Sequence, residues 1–223
     1  MKFVISLGGS IIVPDEIDIS FINAFKQLIE EESGKGNTFI IVTGGGKTAR
    51  RYQKAALQIS SASDEERDWL GIGATRINAQ LMKAAFSERA YPKVVENPTL
   101  KIKTGKKIII ASGWKPGFSS DMDAVLLAKN LKADTVINLS NTDYVYDKDP
   151  KLPGAKPLEK ISWKEFKEIV GKKWKPGMNA PFDPIASRLA EKLRLKVVVM
   201  NGKKLECLKN FLDGKPFTGS VIN

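Results

Sequence analysis

The stretch of residues 39–52, FIIVTGGGKTARRY, concentrates groups that suit an anion. Gly44, Gly45 and Gly46 have no side chains, so a ligand can approach their backbone closely. Lys47, Arg50 and Arg51 place three positive charges within five residues. The apolar run before the glycines reads as a buried strand and the residues after them as a helix. The start of such a helix offers unpaired N–H groups and a positive dipole end, which suits phosphate. The Walker pattern is not met: it needs a glycine five residues before the GK pair, and that position is Ile41. The segment is therefore an anion-binding turn or a tight loop, not a P-loop.

Other glycine-rich or polar segments have a related character. They are GGS (8–10), SGWKPGFSSD (112–121), SNTD (140–143) and FDP (182–184). There is no histidine in the chain. Histidine general bases, Ser-His-Asp triads and histidine-bearing metal sites are excluded. Phosphoryl transfer is not, since it needs alignment and positive charge more than a strong base.

The elements that must hold these loops alternate. Strands are predicted over 2–7, 38–43, 107–112, 134–139, 195–200 and 219–222. Helices are predicted over 19–33, 47–59, 67–88, 121–131, 161–170, 183–193 and 203–212. The polar run SSASDEE (60–66) reads as a break, and GGS as a turn. This alternation predicts an α/β fold, a three-layer αβα sandwich with a mainly parallel central sheet. Ligands of such sheets lie at the carboxyl ends of the strands. The loops that follow the strands are expected to converge on one edge.

Length and composition narrow the classes. The 223 residues, 42% apolar, suffice for one large domain or two lobes sharing a sheet. No run of 18 apolar residues predicts a membrane span, and the start MKFVISLGGS reads as a first strand rather than a leader. A single cysteine, Cys207, leaves no internal disulfide and predicts a cytoplasmic protein. The formal charge of +11 raises nucleic-acid binding. The lysines are dispersed, however, and the clusters KIKTGKK (101–107) and GKKWKP (171–176) match no nucleic-acid motif. No nucleic-acid or membrane partner is expected.

Taken in order, SLGGS, VTGGGKTARRY, DWLGIGATRINAQLM, SGWKPGFSSDMDA, LSNTDYVYDKDP, FDPIAS and GKPFTGSVI resemble the amino acid kinase family, and within it the uridylate kinases of archaeal type. The resemblance covers nearly the whole chain. It implies transfer of a phosphoryl group from ATP, with Mg²⁺, to UMP or a similar small phosphorylated acceptor. It also implies one two-lobed domain, with 1–130 mainly the acceptor lobe and 131–223 mainly the ATP lobe. A homo-oligomer, a hexamer built from dimers, follows from the same resemblance. Gly44, Gly45, Arg50, Asp68, Lys115, Ser119, Ser120 and Asp121 would bind the acceptor. Gly8, Gly9, Ser10, Asn141, Asp143, Tyr146 and Asp149 would bind ATP. Asp183, Lys47 and Ser10 would serve the transfer, and no protein group is assigned to a metal. The Thr75 and Asn78 pair of the third motif also matches.

The sequence departs from the family in places. Many members carry a first-strand lysine where Ser6 stands, and Tyr144 replaces a usual glycine. Trp114 and Lys115 sit in the acceptor loop where other residues are common. The missing histidine speaks against the isopentenyl phosphate kinase branch. Several residues also have a plainer role. Lys47 could point to solvent, Arg51 is a surface or subunit-contact candidate, and Asp123 is expected at the surface. Asp68, Asp121 and Asp183 could each cap a helix, and Asp149 could build a turn. Trp69, Trp163 and Trp174 read as packing groups. Helix 67–88 is apolar on more than one side (Leu70, Ile72, Ile77, Leu81, Met82, Phe86), which predicts a subunit interface as well as a core. A kinase with another acceptor, a non-catalytic nucleotide-binding homologue and a nucleic-acid-binding module stand as alternatives.

Overall fold

In the first strand, β1 (Lys2–Leu7), side chains alternate between two buried faces. Phe3, Ile5 and Leu7 join one core and Val4 joins another. That double burial requires helices on both sides. A computed structural model describes residues 1–171 and 180–223 and shows this three-layer arrangement.

The chain runs β1, α1 (Gly9–Ile12), α2 (Ile19–Gly34), β2 (Thr38–Thr43), α3 (Gly46–Ser60), α4 (Asp64–Phe86), β3 (Ile108–Ala111), α5 (Ser120–Leu131), β4 (Thr135–Ser140) and β5 (Val145–Tyr146). It continues through β6 (Pro157–Leu158), β7 (Lys160–Ile161), α6 (Trp163–Val170), α7 (Pro184–Lys192), β8 (Lys196–Asn201), α8 (Leu205–Leu212) and β9 (Ser220–Ile222). The main sheet has the order β3-β2-β1-β4-β8-β9-β7. The strands from β3 to β8 in that order pair in parallel; β9 is antiparallel to β8, and β7 is parallel to β9. Helices α1, α2, α4 and α8 cover one face, and α5, α6 and α7 the other. Helix α3 buries only Ala49 and packs on α4.

Some elements differ from the sequence expectation. The acidic run at 64–66 is not a break: Ser63 caps α4, its side chain accepting from the Glu66 N–H while Glu66 returns a bond to the Ser63 N–H. Helix α4 therefore starts at Asp64 rather than 67. The GGS segment does not end in a turn but enters the one-turn helix α1. The β5–β6 hairpin and β7 are too short to leave a periodic signal. Trp163 is buried, but Trp69 is 46% exposed and packs little. Trp174, in the 171–176 cluster, lies outside the described residues. Asp123 is not at the surface; it is fully buried. A helix beginning at Ser120 turns it inward with Ala124, Leu127 and Ala128. Among the described residues, no helix is long and apolar enough to cross a membrane.

Candidate active site

The connections leaving β1 and β4 run to opposite sides of the sheet, so the sheet has a switch point between them. There the loops after β1 and β2 meet backbone to backbone. A Cβ on Gly9 would lie 2.3 Å from the Gly46 nitrogen, and one on Gly44 would lie 2.7 Å from the Gly9 nitrogen. Gly46 also holds φ at +60°, a region that side chains disfavour. The Gly8 N–H donates to the Leu139 carbonyl at 3.0 Å and the Gly44 N–H to the Leu7 carbonyl at 2.9 Å. These glycines are thus explained first by the contact between two loops. Asn78 Nδ2 supports it, donating to the Gly44 carbonyl at 2.8 Å.

Beside this contact opens a cleft of about 240 Å³. Gly45, Arg50, Asp68, Ser119, Ser120, Asp121 and Asp183 all line it. Arg50 lies one turn into α3 and its Nη2 donates to Ser10 Oγ at 2.9 Å. Ser10 thereby joins the loop after β1 to the cleft. Asp68 is not a helix start, since Ser63 holds that place; its Oδ2 accepts the Gly117 N–H at 2.8 Å. The loop carrying Gly117 is pinned again where the Gly113 N–H donates to Thr75 Oγ1 at 2.8 Å. Ser119 caps α5, accepting from the Met122 N–H at 3.2 Å, so Asp121 is free of that duty.

Asp121 instead joins three elements. Its Oδ1 accepts Ser6 Oγ–H from β1 at 2.8 Å, and its Oδ2 accepts the Asp183 N–H at 3.0 Å. Burial, with the Asp183 charge adding to it, raises its carboxyl to about 6. Asp183 caps α7: Oδ1 accepts from Ile185 at 2.5 Å and Ala186 at 2.9 Å. The capping role is real, and it leaves the carboxylate on the cleft wall. The N-terminal ends of α5 and α7 thus both open on the cleft, which favours negative charge there. Behind α5, burial first and Asp121 next raise the Asp123 carboxyl to about 7.

Other residues fall elsewhere. Lys47 does not line the cleft; its Nζ pairs with Asp15 Oδ1 at 2.7 Å, and Arg51 lies 3.7 Å from the same oxygen. That pairing holds the Asp15 carboxyl below its usual range. Lys115 is also outside the lining, with its Nζ 4.1 Å above the Trp114 ring and 4.9 Å above Phe118. On the far side of the switch point, Asp143 Oδ2 accepts from Lys204 Nζ at 2.7 Å and Oδ1 from Asn201 at 2.9 Å. Tyr146 stands edge-on to Tyr144, and Asp149 accepts the Lys151 N–H in a turn. Asn141 is exposed at the end of β4. Gln53 and Phe118 line the cleft without having been foreseen. Gln53 is three residues after Arg50, so helical spacing alone puts both on one face.

The model of the amino acid kinase family matches residues 1–201. A uridylate kinase from Pyrococcus abyssi is 39% identical over 219 residues, covering 96% of each chain. One from Thermococcus onnurineus is 36% identical over 226 residues, covering all of this chain and 99% of the other. The crystal structure of a uridylate kinase from Archaeoglobus fulgidus superposes with a TM-score of 0.86 at 34% identity, over the full length of both chains. A match of this length, on a sheet whose glycine loops meet at its switch point, places the chain: it belongs to the amino acid kinase family.

Proposed function

We propose that this chain transfers the γ-phosphoryl group of ATP to UMP, giving ADP and UDP. One observation carries the reading. The switch-point cleft puts a guanidinium, a half-buried aspartate and two helix N-termini together, in a chain that aligns end to end with uridylate kinases. Arg50 binds the acceptor phosphate, and Asp68 accepts from the ribose hydroxyls. Gly44 and Gly45 supply close backbone, and Ser119 and Ser120 add hydroxyls beside the reacting phosphates. The acceptor is already ionised, so alignment and charge stabilisation suffice and no histidine is needed. Asp183 orders the groups around the moving phosphoryl.

ATP lies across the loop after β1, on Gly8, Gly9 and Ser10, with its nucleoside toward Asn141, Asp143, Tyr146 and Asp149. Residues 1–130 then form mainly the acceptor lobe and 131–223 mainly the ATP lobe. Lys47 reaches phosphate by exchanging Asp15 for it, and Lys115 borders the acceptor loop. Among the described residues, no three carboxylate, cysteine or histidine side chains gather to cage a metal. Both oxygens of Asp121 and one of Asp183 are already engaged. This suits Mg²⁺ carried on the ATP phosphates, which keeps water and phosphate ligands and offsets their charge. Trp69, Ile77, Tyr52 and Ile59, exposed on α3 and α4, support self-association, for which the family resemblance implies a hexamer in the cytoplasm.

The test is an acceptor panel. Purified protein with Mg²⁺ and ATP is offered UMP, CMP, AMP and small carboxylates, and ADP and phosphorylated product are measured. UDP formation well ahead of every other product is expected. Turnover of another acceptor without UMP, or ATP binding without any turnover, rejects the proposal.

A further inference from the structure

Asp123 is fully buried on a helix face otherwise made of Ala124, Leu127 and Ala128. Its Oδ1 has no hydrogen-bond partner. A carboxyl in that state destabilises the fold relative to an apolar residue of similar size. Its other oxygen makes one contact, accepting the Trp114 N–H at 3.1 Å. Trp114 opens the loop that runs to Ser119 and so to the cleft. That loop is held at two further points, by Thr75 on the Gly113 N–H and by Asp68 on the Gly117 N–H. Both of those anchors come from α4, on the opposite face of the sheet from α5. At its Ser119 end the loop runs into α5, but without Asp123 its Trp114 end would be held from α4 alone. With it, the Trp114 end is also tied to α5, the helix whose first residues line the cleft and whose Asp121 holds the start of α7.

We propose that Asp123 is a positioning residue for the acceptor: it sets the 113–119 loop at the height over the cleft that UMP requires. It touches no substrate and acts through the Trp114 N–H. The proposal rests on the acceptor-site reading above. Failure of that reading appears as absent UMP turnover in the unaltered protein, whereas failure of this one appears only in comparison with the variants.

The test pairs Asp123→Asn with Asp123→Leu. Asparagine keeps an acceptor oxygen for Trp114, so its KM for UMP should stay within about twofold. Leucine fills the site but leaves the Trp114 N–H without a partner. Its KM for UMP should rise about tenfold, with the KM for ATP within twofold and the melting temperature no lower. A purely structural role would instead shift both KM values together with stability, or shift none. An Asp123→Leu protein with unchanged KM for UMP, or an Asp123→Asn protein as impaired as Asp123→Leu, overturns the proposal. Amide exchange in the unaltered protein tests it without any variant. The Trp114 amide should be protected, and exchange at the rate of an open loop also overturns it.

Discussion

Asp183 does two things that one substitution can separate. Its Oδ1 closes the α7 N-terminus by two hydrogen bonds, at 2.5 and 2.9 Å, with Pro184 as the first helical residue. Its carboxylate also borders the cleft at 4% exposure. Asp183→Ala removes both the cap and the charge. A buried cap with two acceptor bonds belongs at the upper end of the usual range, so a loss of about 2 kcal/mol is expected. Asp183→Asn keeps the size and the acceptor oxygen, and asparagine caps as well as aspartate, so its stability should change by less than about 0.5 kcal/mol. The charge is lost in both. If it orders the transferring phosphoryl, kcat should fall roughly 100-fold in each, equal to about 2.7 kcal/mol of barrier, with ATP binding retained. Urea denaturation gives the stabilities and ADP release gives kcat. An Asp183→Asn enzyme turning over at the unaltered rate would reduce Asp183 to a cap and refute the reasoning. Equal stability of the two variants would refute the capping half.

Arg50→Ala should lower kcat/KM for UMP roughly 10- to 100-fold, the loss of a charged hydrogen bond to phosphate, while Arg51→Ala stays within about twofold; steady-state kinetics on UMP decide. Gly46→Ala sets a Cβ 2.3 Å from the Gly9 carbonyl carbon at a φ of +60°, and should cost roughly 3–5 kcal/mol with most activity, read by denaturation and turnover. The Asp123 carboxyl is raised to about 7 in the fold from about 4 unfolded, so the cost of burying it ionised is absent at low pH and grows as pH rises between those values. Against Asp123→Asn, the unaltered protein should lose about 1.4 kcal/mol per pH unit between pH 4 and 7 and nothing more above; parallel stability curves across that window would contradict the raised value.

The parallel strands were legible because each is a largely apolar run buried on both faces, and Phe39–Val42 is a plain case. Their convergence at one edge follows from parallel pairing, so the placement of the glycine loops was legible too. The start of α4 was legible in principle, since Ser63 and Glu66 have the capping-box spacing, but an acidic run resembles a break until the cap is recognised. Lys47 and Lys115 show where sequence runs out. Their partners, Asp15 and the Trp114–Phe118 pair, depend on loop paths that no periodicity encodes. Asp123 is a sharper case: a charge in a helix reads as solvent-facing, and only the packing of α5 on the sheet turns it inward.

The pairing of β1 with β4 bears on how the molecule is made. Phe3 sits opposite Thr135, a separation of 132 residues. At about 5–20 residues per second on a ribosome, β1 waits roughly 7–26 s for that neighbour. During this interval it has β2 beside it, with β3 beyond β2, and an open edge on the other side. A nascent chain stopped there already holds the interlocked glycines, Arg50, Asp68 and Asp121. It lacks the Leu139 carbonyl that receives Gly8 and the Asp183 N–H that meets Asp121. The cleft is thus completed late in synthesis, and a stalled or shortened chain holding Arg50, Asp68 and Asp121 would still lack the contacts that close it.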